Sequence, residues 1–453
     1  MAVWNSVNIS YVLSKNRIDA EFYKEEDVEL EFFLNKLCNG EKLKYVTKEV
    51  TERFNKNQCE EFQYNDIGNT DLIYGNVKEN IIKSSEAPGR ATFINNIDDV
   101  LISSVRPNRN ANAIINENSY LQVGSNGFCN LRSNSLNPNY IFAFSKTKYF
   151  IATLVRATTS SMYPSVSNKD ILNVPFFMPE ANEILAISEK IKQSRKLLLD
   201  SQLYFNQATA LLEKELGLDN SDLDDSPNKY ISSFNDVIIG KRLDPEFYNP
   251  RAKTIVQRIK NLEHTTIAQN FYVKNGFPWN SKKFLEDNSG EPVIRIRDIK
   301  PTYIDKQNLT SIERNYANTI TFPKAKAGDI VVGMDGLKYF YGSILEEDCM
   351  VNQRVCHIER KSPDSISSEY TTFIINSKIG QAQLLRDMTI ATTVGHITNL
   401  NVAKLVIPIV SKDFHDNITD LVRKSINAKK KSKVLLKQAI DRVEELIEEA
   451  GTK

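Results

Sequence analysis

The stretch Arg17-Ile18-Asp19-Ala20-Glu21-Phe22-Tyr23 returns as Arg242-Leu243-Asp244-Pro245-Glu246-Phe247-Tyr248, identical at five of seven positions and displaced by 225 residues. Internal similarity is read before any local signal, because it fixes the number of building blocks. The correspondence continues in the same order. Asp99-Val100-Leu101-Ile102 answers Asp329-Ile330-Val331-Val332. Ser167-Asn168, with Pro175 closing an apolar run, answers Thr398-Asn399 with Pro408. The segment ending Leu216-Gly217 answers the one ending Ala450-Gly451. The displacement drifts from 225 to 234, as insertions in loops produce, so the chain is read as a tandem duplication.

Each half repeats one order of local signals. Asp244, Pro245 and Glu246 read as a helix start, with an N-cap acceptor, a proline at the first position and an acid near the positive dipole end. Ile255, Ile259 and Leu262 continue that helix on one face, and Leu30, Phe33, Leu34 and Leu37 show the same spacing in the first half. Short apolar or alternating runs follow, including Pro292-Val293-Ile294-Arg295-Ile296-Arg297 and Gly328-Asp329-Ile330-Val331-Val332-Gly333, which read as strands of a mixed α/β body. Each half then ends in a long helical stretch, over 180–217 and 411–450, with Gly217 and Gly451 where C-cap glycines belong. Neither helix can bury its apolar stripe alone, so the two are expected to pack together. Leu218 to Asn235, rich in Asp, Ser and Asn and holding Pro227, reads as the connection between the halves.

A chain of 453 residues exceeds one ordinary core, and two or three domains are expected. With 41% hydrophobic and 25% charged residues it has the composition of a globular protein. No apolar run approaches the length that crosses a bilayer, and Met1-Ala2-Val3-Trp4-Asn5 opens without a signal-peptide pattern, so a cytoplasmic location is expected. Cys38, Cys59, Cys129, Cys349 and Cys356 are odd in number and form no C-x-x-C pair, which speaks against a disulfide framework and a zinc site. The four histidines (His264, His357, His396, His415) show no ligand spacing, so structural roles and no metal are expected. The net charge of +1 does not announce a nucleic-acid binder; such binding would need locally concentrated positive charge or charge from partner chains.

Two similar α/β modules, each followed by a long helix, resemble the specificity subunits of type I restriction–modification systems. The resemblance covers essentially the whole chain. It rests on the paired Arg17–Tyr23 and Arg242–Tyr248 strings at the module starts, on Asp99-Val100-Leu101-Ile102-Ser103-Ser104 and Gly328-Asp329-Ile330-Val331-Val332 in the bodies, and on Thr393-Val394-Gly395-His396-Ile397-Thr398-Asn399-Leu400 running into Val406-Ile407-Pro408. It implies tandem-duplicated target recognition domains of mixed α+β fold, separated by a pair of long antiparallel coiled-coil helices. The expected division is domain 1 over 1–178, spacer helix 1 over 179–217, a linker over 218–236, domain 2 over 237–410 and spacer helix 2 over 411–453.

In that family each domain reads one half of a bipartite site on double-stranded DNA. The helices set the spacing and dock two methyltransferase subunits that bind S-adenosylmethionine and methylate adenine, while restriction subunits translocate and cut. No cofactor is expected on this chain. A type IIB-like system using the same modules is the close alternative, and a protein-binding scaffold the distant one. A rigid spacer suits this reading, since successive major-groove sites lie roughly 34–36 Å apart.

Candidate DNA contacts follow from side-chain chemistry. In Val105-Arg106-Pro107-Asn108-Arg109-Asn110-Ala111-Asn112, arginine suits guanine and asparagine suits adenine, although Asn and Pro favour solvated turns as well. The counterpart, Met334-Asp335-Gly336-Leu337-Lys338-Tyr339-Phe340-Tyr341-Gly342, offers Lys338 with Tyr339 and Tyr341 for backbone contact and stacking, or core packing through Phe340 and one tyrosine. Arg295 and Arg297 are expected on one strand face, turned to DNA or to solvent. Asn275-Gly276-Phe277-Pro278-Trp279-Asn280 is an aromatic loop that inserts or supports. Lys429-Lys430-Lys431, with Lys433 and Lys437, lies mid-helix and is balanced by Glu444, Glu445, Glu448 and Glu449; a solvated face and a contact with central DNA or an acidic partner both account for it.

No catalytic set accompanies these residues. Asn137-Pro138-Asn139-Tyr140 departs at its third position from the Asn-Pro-Pro-Tyr tetrad of adenine methyltransferases, lacks a glycine-rich cofactor loop, and reads as a turn leading into a helix. A P-loop lysine motif is absent. The chain is read as non-catalytic.

Overall fold

A computed structural model describes residues 6–117, 119–159, 162–218, 230–285, 289–306, 309–320, 322, 324–336, 338–391 and 394–452. The opening Met1–Asn5, most of the connecting segment with Pro227, and Leu337 and Thr393 of the quoted strings lie outside them. The chain divides into two compact units. The first holds Met1–Leu199 with Ala428–Lys453, the second Asp200–Asn427.

The first unit carries two four-stranded sheets. One, all antiparallel, orders its strands Thr47–Glu49, Phe128–Ser133, Val100–Ser103 and Ala113–Ile114. The other runs Ile81–Lys83, Glu61–Asn65, Leu121–Ser125, Ala91–Asn95, with a parallel pair at its centre. Helices Pro138–Ser145 and Lys148–Ala157 cover the first sheet with Tyr140, Phe142, Phe144 and Phe150. Asn137 caps the former by accepting from the Asn139 amide at 3.0 Å, so the Asn137–Tyr140 string is the helix start read from the sequence.

The second unit repeats the plan. Phe271–Asn275, Val355–Arg360, Ile330–Gly333 and Gly342–Ile344 form the antiparallel sheet. A second sheet orders Phe284–Leu285, Thr310–Ile312, Glu291–Ile294 and Met350–Val351, again with one parallel pair. Helices Ser368–Asn376 and Lys378–Asp387 supply Tyr370, Phe373, Ile379 and Leu384 to its core.

Hydrogen bonds recur at the duplicated positions. Arg17 grips both oxygens of Asp19 (2.9 and 2.7 Å) and donates to the carbonyls of Ala157 and Thr158 (3.1 and 3.0 Å). Arg242 does the same with Asp244, Asp387 and Met388. The Tyr23 and Tyr248 hydroxyls donate to the carbonyls of Arg17 and Arg242, each at 2.6 Å. Tyr140 reaches the Phe177 carbonyl and Tyr370 the Pro408 carbonyl. Ser167 with Asp170, and Thr398 with Asn401, form matching capping boxes.

The clasp corrects the expected helix start. Arg242 takes the Asp244 carboxylate, which caps nothing, and Pro245–Tyr248 is a 3-10 turn. The helix begins at Pro250, capped by Asn249.

The long helices are Ala181–Glu215 and Lys412–Gly451. In the first unit Glu183 pairs with Arg442, Lys190 with Gln438 and Ser194 with Ser432, numbers rising on one helix as they fall on the other, so the segments are antiparallel. Ile184, Ile187 and Ile191 pack there with Leu436, Ala439, Val443 and Ile447. In the second unit Ala208 and Leu212 pack with Ile418 and Val422, and Ser201 faces Ser425 at 3.0 Å. The buried positions alternate three and four residues apart, as helix pairs require. The Ser194 and Ser432 hydroxyls also donate across to each other's carbonyls at 2.8 Å, which holds the two backbones close.

The terminal glycines differ. Gly217 has φ +59 and is a left-handed C-cap. Gly451 is the last helical residue, and a Cβ there would lie 2.2 Å from Phe33 Cε2. Close packing, and not capping, accounts for it.

Candidate nucleic-acid interface

In the first unit the buried strand Val100–Ser103 leads into a 3-10 turn, Pro107–Arg109, flanked by two left-handed residues, Arg106 (φ 50) and Asn110 (φ 51). A left-handed arginine is strained by about 1–3 kcal/mol and persists only where its surroundings enforce it. Three contacts do so. The Arg106 amide donates to the Pro164 carbonyl at 2.7 Å. Asn112 accepts from the Ser103 amide and donates to the Ser145 carbonyl. Asn110 donates to the Lys146 carbonyl at 3.0 Å. Asn108 and Arg109 are left exposed at the tip, while Asn110 is turned inward as an anchor.

Lys146 is the unexpected member of this group. Its ammonium nitrogen is buried and donates to the carbonyls of Asn110 (2.9 Å) and Leu72 (3.2 Å). Burial pushes it down to about 7, with nearby Asp71 opposing the shift. Nothing in its sequence context separates it from a surface lysine.

In the second unit Ile330–Gly333 leads into Asp335–Gly336 and then the loop that carries Lys338, Tyr339 and Tyr341. Tyr339 and Tyr341 stack with ring centroids 5.5 Å apart and planes 6° from parallel. Lys338 and Tyr339 are exposed, Tyr341 is half-buried with its hydroxyl pKa raised by desolvation, and Phe340 is buried. Gln381 holds both the Phe340 amide (2.9 Å) and carbonyl (3.0 Å), and Asn376 holds both those of Gly342.

Arg295 and Arg297 do not share a strand face. The strand stops at Ile294, because the Asp298 carboxylate accepts the Arg295 amide and closes a 3-10 turn over Ile296–Asp298. Both guanidinium groups converge on the Thr310 hydroxyl, at 3.3 and 2.8 Å. Trp279 belongs to the core, its indole donating to the Val351 carbonyl at 3.1 Å, so the aromatic loop supports.

A segment beside each loop packs against it, in a role the sequence did not assign. In the second unit Thr389–Ala391 and Val394–His396 pair, and Val394–His396 also pairs with Asp335–Gly336. His396 Nδ1 lies 2.6 Å from Asp335. In the first unit Val105 bridges Ser165, and Tyr163 lies under Arg106. Their sequence signal is the shared offset of 230 residues between Ser165 and Gly395.

The lysine run is not uniformly solvated. Lys429 is turned toward Tyr74, 5.8 Å from the ring centroid, and desolvation lowers its pKa. Glu444 and Glu448 are engaged by Lys148, and Glu445 and Glu449 by Arg442. His357 is buried 2.7 Å from Asp329. Burial pushes the thiols of Cys38, Cys349 and Cys356 up to about 12. Among the described residues no group of three or more His, Cys, Asp or Glu is placed to hold a metal, and no helix is long and apolar enough to cross a membrane.

No family model matches the chain. Among curated proteins it is similar to the type I restriction enzyme EcoBI specificity subunit of Escherichia coli, 28% identical over 138 residues. That match spans 30% of this chain and 26% of the relative. Among solved structures, the HsdS subunit from Thermoanaerobacter tengcongensis aligns at 16% identity over 89% of this chain and 94% of that one, with a TM-score of 0.32. The type I restriction-modification S subunit from M. genitalium aligns at 13% identity over 90% and 92%, with a TM-score of 0.38. At these scores the fold rests on the chain's own strands and registers.

Proposed function

We propose that this chain is the DNA sequence-specificity subunit of a type I restriction–modification complex. Each unit reads one half of a bipartite site, and the chain itself performs no catalysis. The observation that carries this reading is the duplication at the level of individual hydrogen bonds, from the Arg17 and Arg242 clasps to the paired capping boxes. Two copies of one scaffold that differ in the loop each presents are what a protein needs to read two different half-sites. The partial match to the E. coli specificity subunit supports the same reading.

In this account the exposed Asn108, Arg109, Lys338 and Tyr339, with Arg106 and Tyr341 behind them, face DNA. Arg295 and Arg297 brace a neighbouring turn through Thr310. The paired long helices set the separation of half-sites and dock two methyltransferase subunits, which bring S-adenosylmethionine, and restriction subunits join the same complex. The assembly works in the cytoplasm.

Mapping modified adenines in the host genome by long-read sequencing tests this. The expected result is one motif with two specified ends and an unread gap, lost when the chain is deleted. Purified chain that methylates or cuts DNA alone, or a deletion that removes no such motif, overturns it.

A further inference from the structure

The strain at Arg106 asks what it is for. Its guanidinium lies over the Tyr163 ring, 5.0 Å from the centroid. Among the described residues it makes no hydrogen bond or ion pair, so its donors stay open above the ring. The support is local and two-sided. Pro164, next to Tyr163, accepts the Arg106 amide, and Ser165 bridges Val105. Tyr163 is 63% exposed and Met162 beside it 80% exposed. An arginine and a tyrosine are thus presented together, on a turn anchored from behind by Asn110 and Asn112.

We propose that Tyr163 is a specificity-determining residue of the first unit, a platform that orients Arg106 to read one guanine. A planar guanidinium with open N–H donors matches the O6 and N7 acceptors of guanine, and pre-orientation lowers the entropy lost on binding. The ring supplies that orientation at small cost, because a cation over an exposed aromatic face gains about 0.5–1 kcal/mol. The device is private to the first unit. At the offset that aligns Asp99 with Asp329, Gly336 stands in place of Arg106, and a Cβ there would lie 2.5 Å from the Tyr339 carbonyl oxygen. The second loop folds back over that position and excludes any side chain.

This inference rests on the proposed DNA reading and is tested on the full chain in complex with its methyltransferase, by sequencing duplexes bound from a randomised pool. Tyr163→Ala is expected to reduce the preference for guanine at one position of one half-site by roughly two- to fivefold, with the other half-site unchanged. Tyr163→Phe, which keeps the ring, is expected to retain the preference, and Arg106→Lys to lose it. An unaltered preference in Tyr163→Ala overturns the inference while leaving the reading intact. So does uniformly weaker binding to all sequences with a salt slope reduced by about one in Arg106→Ala, the mark of a phosphate contact. A wild-type complex without any sequence preference sinks the reading itself.

Discussion

The loop after Val100–Ser103 and the loop after Ile330–Gly333 leave matching strands and are held by different chemistry. The first hangs on a buried ammonium, Lys146, and on Asn110 and Asn112. The second hangs on two neutral amides, Asn376 and Gln381, and Asn376 stands at the Lys146 position under the same offset. The clasps, capping boxes and tyrosine anchors recur with equivalent partners. A duplicated scaffold therefore conserves what orients the loop and lets the loop and its immediate tether vary, the division of labour that modular recognition needs.

The largest expected effect falls on what is shared. Arg17→Ala and Arg242→Ala each remove four hydrogen bonds to a carboxylate and two carbonyls. Each is expected to cost about 2–3 kcal/mol, read as a lowered urea midpoint. A large effect in one copy and none in the other breaks the equivalence.

The helix pair comes next. Ser194 and Ser425 are 231 positions apart, as are Ser201 and Ser432, so the two serine contacts are copies of one another. Ser194→Leu or Ser425→Leu forces a larger side chain against a facing backbone and is expected to cost about 2 kcal/mol. The corresponding alanines are expected to cost under about 1 kcal/mol. Thermal denaturation distinguishes the two outcomes, and equal tolerance of leucine contradicts the close approach.

A dependence on pH separates the tethers. The unfolded chain keeps the Lys146 proton up to about 10.5, whereas the folded chain releases it near 7. The unfolded state therefore binds more protons between those values, and stability rises with pH across that window. Wild type is expected to gain on Lys146→Met between pH 7 and about 10, at up to about 1.4 kcal/mol per pH unit, with no slope below about pH 6. Asn376→Ala is expected to show no such slope. Parallel pH profiles for both variants erase the distinction.

The duplication, the long helices and the strand after Asp329 were legible because identity, helical spacing and apolar runs are local or repeat along the chain. Two of the sequence expectations that failed gave way to a neighbouring side chain. Asp244 reads as a cap until Arg242 claims it, and Arg295 and Arg297 alternate like strand residues until Asp298 closes a turn. The two loops were legible in composition but not in orientation. Asn110 differs from Asn108 only through the Lys146 carbonyl, 36 residues on. Tyr163 carries no signal of its own, since its meaning comes from a guanidinium that chain folding brings above it.

On the proposed function, two units of one scaffold read two half-sites independently. Replacing residues 1–178 with the first module of another specificity subunit, and mapping modified adenines in a host carrying the hybrid, tests it most directly. One half of the motif should change while the other half and the gap persist. A motif altered at both ends would contradict it.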